Sequence, residues 1–188
     1  MTQVLDIGCG NAKTPGAIGI DSNPRTQADI IHDLDVYPWP LSDNTFDRIV
    51  CNHIVEHVAD LICFVEEVHR IAKPGALVEI VTPHFSSRFA YTDPTHRRYL
   101  SLFAFDYFID HPPFHPSLLS RAFETQYPVA DFYSRVRFEK VRAFLRFARP
   151  FRLTGVQWLA NRFPYFYEAY LVGIFPARDL YFTLQVNK

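Results

Sequence analysis

Two short apolar runs, each ending in an acid and joined through a tight glycine turn, constrain this chain more than any other feature. They are Val4-Leu5-Asp6-Ile7-Gly8-Cys9-Gly10 and Gly19-Ile20-Asp21. The order reads as strand, nucleotide-cradling loop, strand, ribose-binding carboxylate. The two glycines let the backbone approach a ligand where a Cβ would clash. Asp21, at the tip of the second strand, can accept two hydrogen bonds from a ribose diol. A plain alternative keeps the glycines for packing in a βαβ turn, and a lone Gly-x-Gly does not choose between the two.

The surrounding residues do choose. A dinucleotide fingerprint places a third glycine three residues after the second, where this chain has Lys13. Asp6 is also unusual for that class. The run resembles motif I of class I S-adenosylmethionine-dependent methyltransferases, of the type-11-like group, in which an acid precedes the glycines. Asp6, Gly8 and Gly10 match that pattern, and Ala12 stands in place of the third glycine. The resemblance extends over roughly the first 85 residues. Ala28 to Leu34 reads as a third strand, and Pro38 to Asp47 as the turn before the fourth, Arg48 to Cys51. Asn52 to His57 reads as the opening of a helix, Lys73-Pro74-Gly75-Ala76 as a stop and turn, and Leu77 to Val81 as the fifth strand.

The resemblance implies S-adenosylmethionine as cofactor, held by Asp6, Gly8, Cys9 and Gly10 under its methionine part and by Asp21 with Ser22 at the ribose. It also implies Asn52 and His53 beside the sulfonium, and an acid after the third strand on the adenine. Counting forward from that strand favours Asp33 with Leu34 beside it, and counting back from Phe46-Asp47 favours Asp35; Asp33 is preferred. The fold implied is a Rossmann-like, seven-stranded, mostly parallel α/β sheet with an antiparallel last strand. One departure matters. The spacing from Gly8 to Asp21 is 13 residues, against ~20 in a dinucleotide fold. The first crossover is therefore expected as a loop without its helix.

The chain has 188 residues, enough for one well-buried domain. It is expected as a single unit, 1–83 binding cofactor and 84–188 facing the acceptor, with an insert over about 150–176. Three cysteines, Cys9, Cys51 and Cys63, have no metal-type spacing and fit reduced thiols in a cytoplasmic protein. With the first strand expected within a few residues of Met1, neither a signal peptide nor lid helices are expected before it. Net charge of −1 argues against general nucleic-acid affinity. The halves differ, with 5 basic and 12 acidic residues through Pro83, then 14 basic and 8 acidic. Either a solvated surface or a basic mouth for an anionic substrate or headgroup accounts for that split.

Candidate chemistry clusters after the fourth and fifth strands. His53, Glu56 and His57 share one face if helical, and as a group they are candidate metal ligands or a base. A Glu-His pair bonding a neighbouring loop is the plainer alternative, and no metal is assigned. Thr82-Pro83-His84 ends the fifth strand, at the edge where such sheets bind ligands. His84, His96 and Asp93 are the catalytic candidates, with His57 behind them. Asp93 or Thr95 can instead cap a following helix.

Phe138 to Phe147 and Arg178 to Val186 read as strands that resemble the antiparallel sixth and seventh of the methyltransferase sheet. Between them, residues 150–176 are rich in large apolar and aromatic side chains, among them Phe151, Trp158, Leu159, Phe163, Tyr165, Phe166, Tyr167, Tyr170, Leu171 and Phe175, and are expected as two short helices broken at Pro164. Lid, homodimer surface and peripheral membrane contact are open roles for this insert. The function implied is methyl transfer to an oxygen or nitrogen of a small-molecule, sugar or lipid-linked acceptor. The alternative is a cofactor-binding partner or regulatory module without transfer activity.

Overall fold

The computed structural model describes residues 2–109 and 133–188. Seven strands form one sheet: β1 (Val4–Ile7), β2 (Ile18–Asp21), β3 (Ile30–Ile31), β4 (Phe46–Asn52), β5 (Ala72–Pro83), β6 (Arg137–Arg146) and β7 (Asp179–Asn187). Their order is β3-β2-β1-β4-β5-β7-β6. Strands β1 to β5 are parallel, and β7 is antiparallel to both β5 and β6. Only β7 is therefore reversed, and β6 runs with the parallel set. The strand order turns at β1 and β4, which opens a crevice at their carboxyl ends where such sheets bind ligands.

Alternation on the central strands builds the core. Leu5, Ile49, Val78 and Leu184 form one rung across the sheet, and Ile7, Cys51, Ile80 and Phe182 the next, all buried. Helix α1 (Leu61–Ile71) buries Phe64, Val65, Val68 and Ile71 in the same cluster. Phe105 meets Phe182 edge to face at 4.9 Å. On the alternate positions Arg48, Val50, Glu79, Val81, Tyr181 and Thr183 are only half-buried, and Arg48 pairs with Glu79.

Several local expectations are corrected. Residues 53–59 turn rather than open a helix, because His53 takes a left-handed φ of +54° and the helix starts at an Asp60 cap. Asp60 accepts from the amides of Ile62 and Cys63, two donors a helix start leaves unpaired. Strand β3 shrinks to two residues because its flanks are used elsewhere: Asp29 accepts from Lys13 and the Gly19 amide. The Lys73–Ala76 turn survives as a bulge inside a longer β5. Phe46 pairs with Ala72 but Arg48 with Leu77, and Gly75 takes φ +77° to absorb the extra residues. Residues 8–17 form turns with no helix, as the short spacing requires.

Helix α2 (Arg88–Thr92) follows β5, capped by Ser87. The turn at Asp93 follows this helix instead of preceding one. The insert holds α3 (Arg149–Leu153), α4 (Val156–Arg162) and α5 (Pro164–Phe166), which runs into a π-helical turn over Tyr167–Leu171. Besides the expected break at Pro164 there is another at Gly155, φ +81°. Strand β6 is a sheet edge, and α4 blunts it. Asn161 accepts from the Leu145 amide at 2.7 Å and donates to its carbonyl at 2.8 Å, standing in for a neighbouring strand. No helix among the described residues is long and apolar enough to cross a membrane.

Candidate active site

The glycine turn is built as its spacing demands. Gly8 sits at φ +67° and donates to the Ile20 carbonyl at 2.8 Å. A Cβ there would fall 2.7 Å from the Ile54 side chain, so any other residue must displace Ile54 as well as bear the left-handed backbone. Gly10 takes φ +50° and has open space where its Cβ would be. Its amide donates to Asp21 Oδ2 at 3.0 Å, while Asp21 Oδ1 accepts from the Asn23 amide at 2.8 Å. Two amides thus fix the carboxylate at the tip of β2, and each oxygen keeps a lone pair for a diol.

Asp6 plays a different part. It is buried, and its Oδ2 accepts from the Thr14 amide at 2.6 Å, which closes the loop upon itself. Cys9 is buried beside it, and burial followed by the Asp6 charge raises its thiol pKa. Ser22 and Asn52 are exposed at the ends of β2 and β4. Leu34 is buried and accepts from the Trp39 indole through its carbonyl. Asp33 is exposed and holds only the Asp35 amide on Oδ1 among the described residues. Asp35 is committed to the Ala59 amide and Arg97, leaving Asp33 the freer of the two acids.

Beside this edge lies a cleft of about 610 Å³ whose walls include His53, Glu56, His57, Asp93, His96 and Asp179. Its hydrogen bonds define the imidazole tautomers. The Thr95 hydroxyl donates to Asp93 Oδ1 at 2.6 Å. Having one proton, it must accept from His57 Nδ1, 3.0 Å away. His96 Nδ1 lies 2.9 Å from the Ala90 carbonyl, which only accepts. Both rings therefore carry hydrogen on Nδ1 and, when neutral, a lone pair on Nε2. They meet edge to face at 4.6 Å. The hydroxyl and then the amide of Thr95 hold the Asp93 carboxyl below its usual range.

Glu56 is 1% exposed and bridges His53 Nδ1 at 3.1 Å and the Thr82 hydroxyl at 3.0 Å. The hydrogen bond to Glu56 raises the His53 pKa against the opposing effect of burial. Ligand atoms of Glu56, His57 and His96 lie within 4.8 Å of one another, a donor set able to hold a divalent cation. Helical spacing grouped His53 with Glu56 and His57; the fold puts His96 in its place and leaves His53 bonded to the carboxylate.

His84 is placed apart from the cleft walls. It is fully buried, and its Nδ1 accepts from the Ser86 amide at 3.1 Å. Its Nε2 then carries the proton and donates to Glu168 Oε1 at 3.1 Å. Glu168 also accepts from the Leu102 amide at 2.7 Å. With its lone pair engaged, this imidazole ties the end of β5 to the insert. Tyr167 helps, donating to the Phe175 carbonyl and accepting from the Ala177 amide; burial pushes its phenol up to about 12.

Arg178 and Asp179 were not singled out from sequence, yet both line the cleft. The antiparallel register pairs Asp179 with Pro83 and so delivers the start of β7 to the same edge. Burial raises the Asp179 pKa, opposed by Arg178 and His53.

A family model described as a methyltransferase domain matches residues 2–125. No curated protein matches the chain in sequence. Among solved structures, it is similar to a SAM-dependent methyltransferase from Archaeoglobus fulgidus, with TM-score 0.56 and 19% identity over 98% of this chain and 86% of that one. An S-adenosylmethionine-dependent methyltransferase from Mesorhizobium loti gives TM-score 0.54 and 13% identity, covering 97% and 90%. The [4+2]-cyclase SpnF gives TM-score 0.54 and 16% identity, covering 99% and 75%.

Proposed function

Because this chain belongs to the methyltransferase-domain family and uses S-adenosylmethionine, we propose that it methylates an oxygen or nitrogen of a small-molecule, sugar or lipid-linked acceptor seated in the cleft between α2 and the ends of β4 and β5. The observation that carries this is the Asp93–Thr95–His57 chain of hydrogen bonds, which leaves a basic nitrogen in a cleft beside the cofactor turn. On the cofactor side, we assign the turn to Gly8 and Gly10, the ribose diol to Asp21, and the methionine and adenine ends to Asn52 and Asp33, both exposed. Bound there, S-adenosylmethionine supplies a methyl group already activated on sulfonium. His57 takes the acceptor's proton at Nε2. The Nδ1 proton stays on His57, donated to the Thr95 oxygen, and Asp93 stabilises the imidazolium through that hydroxyl. His96 offers a second Nε2 in the same cleft. Alignment of the nucleophile supplies much of the remaining rate.

Turnover of a panel of glycan, lipid and small-molecule acceptors, read as release of S-adenosylhomocysteine, tests this. His57→Gln should lower turnover at least tenfold with cofactor affinity unchanged, since a general base contributes about 10²–10⁴-fold. Thr95→Val should move the pH profile. Full turnover by both variants would sink the assignment of His57.

A further inference from the structure

The insert and the edge strand β6 carry two adjoining clefts, of about 320 and 400 Å³, which share Phe144, Arg152 and Gln157. Arg142 and Arg146 stand in the first cleft and Arg162 in the second. Among the described residues no acid lines either one. Arg142 lies over Phe144 at 5.0 Å, Arg146 over Tyr181 at 5.7 Å and Arg162 over Phe163 at 5.1 Å. Large apolar side chains stand exposed beside them: Leu153 is 79% exposed and Trp158 69%. Within residues 149–176 the one acid is Glu168, and it is engaged by His84 and Leu102.

We propose that this surface docks on an anionic lipid bilayer, with Trp158 and Leu153 entering the headgroup region and Arg142, Arg146, Arg152 and Arg162 meeting the lipid phosphates. Tryptophan and arginine beside exposed aliphatic residues is the composition of an interfacial segment. Each arginine near an anionic leaflet strengthens partitioning about fivefold. A second copy of the chain fits poorly, because a two-fold contact here would set arginines against arginines. A nucleic acid would use the arginines and rings but leave Leu153 without a partner.

The docking surface and the acceptor cleft adjoin at one end of the β6–β7 pair: the Arg178 amide donates to the Arg146 carbonyl at 2.7 Å, Arg146 lines the arginine cleft and Arg178 the acceptor cleft. Docking there holds the acceptor cleft near the bilayer, which favours acceptors carried in it. This last step rests on the methyl-transfer reading, whereas docking itself does not.

Sedimentation of the full chain with phosphatidylcholine vesicles, with and without phosphatidylglycerol, tests docking without any cofactor. Tryptophan emission gives a second readout, because Trp39 is 2% exposed and Trp158 is the other of the two tryptophans. Expected are binding to the anionic vesicles only, a blue shift, and weakening by salt. Arg152→Glu with Arg162→Glu should cut binding more than tenfold, and Trp158→Ser should abolish the shift, both with native circular dichroism. Asp21→Ala should sediment like wild type, so a failed cofactor assignment leaves this result intact. Three results would overturn docking: equal behaviour with neutral vesicles, capture of single-stranded RNA in place of vesicles, or a dimer in ultracentrifugation abolished by the same arginine reversals.

Discussion

Gly8 and Asp21 show how much single residues constrain the cofactor side. Gly8 combines a left-handed backbone with a Cβ position 2.7 Å from Ile54, so Gly8→Ala should cost about 1–3 kcal/mol in urea denaturation. It should also weaken S-adenosylhomocysteine binding. Gly10→Ala meets open space and bears the backbone strain alone, so its cost should be near 1 kcal/mol. These positions were legible in sequence because turn, strand and carboxylate lie within 13 residues of chain. The chemistry of the second cleft was less so. The bond from Thr95 to His57 joins residues 38 apart, and Asp93-Pro94-Thr95 reads equally well as a cap. His84 stood out as an imidazole at a strand end, but its tautomer is set by Glu168, 84 residues away.

At the scale of elements, the insert is an integral wall that completes the sheet edge. Asn161 satisfies both outward-facing groups of Leu145, as a further strand would. Asn161→Ala should cost about 1–3 kcal/mol, because a buried backbone pair loses its partner. The Leu145 amide should exchange faster in hydrogen-exchange measurements, while cofactor affinity stays unchanged. Strands β6 and β7 were readable from alternation, since their faces differ in burial. The helix expected to open at Asn52–His57 was not there, although the resemblance implied one. The side chain of Asp60 caps a later start, and the left-handed His53 bends the chain before it. Local capping set the helix start, yet His53 and Glu56 still meet through a turn at 3.1 Å.

At the scale of the whole molecule, the glycine turn and a cleft walled from both halves of the chain, His53, Glu56 and His57 from the first and Asp93, His96, Arg178 and Asp179 from the second, lie along the carboxyl edge of one sheet. The arginine-lined clefts belong to the second half alone. The surplus of basic residues there was countable in the sequence, whereas which arginines share a face needed the β6–β7 register. Isothermal titration with S-adenosylhomocysteine decides whether the glycine turn binds S-adenosylmethionine through Asp21. Wild type should bind with one site. Asp21→Ala should bind about 10- to 150-fold more weakly, the loss of one or two hydrogen bonds to a charged acceptor at roughly 1.5–3 kcal/mol. Asp21→Asn, which keeps the shape and one acceptor, should fall between them. Absence of binding to wild type, or undiminished affinity in a folded Asp21→Ala variant, would contradict the assignment.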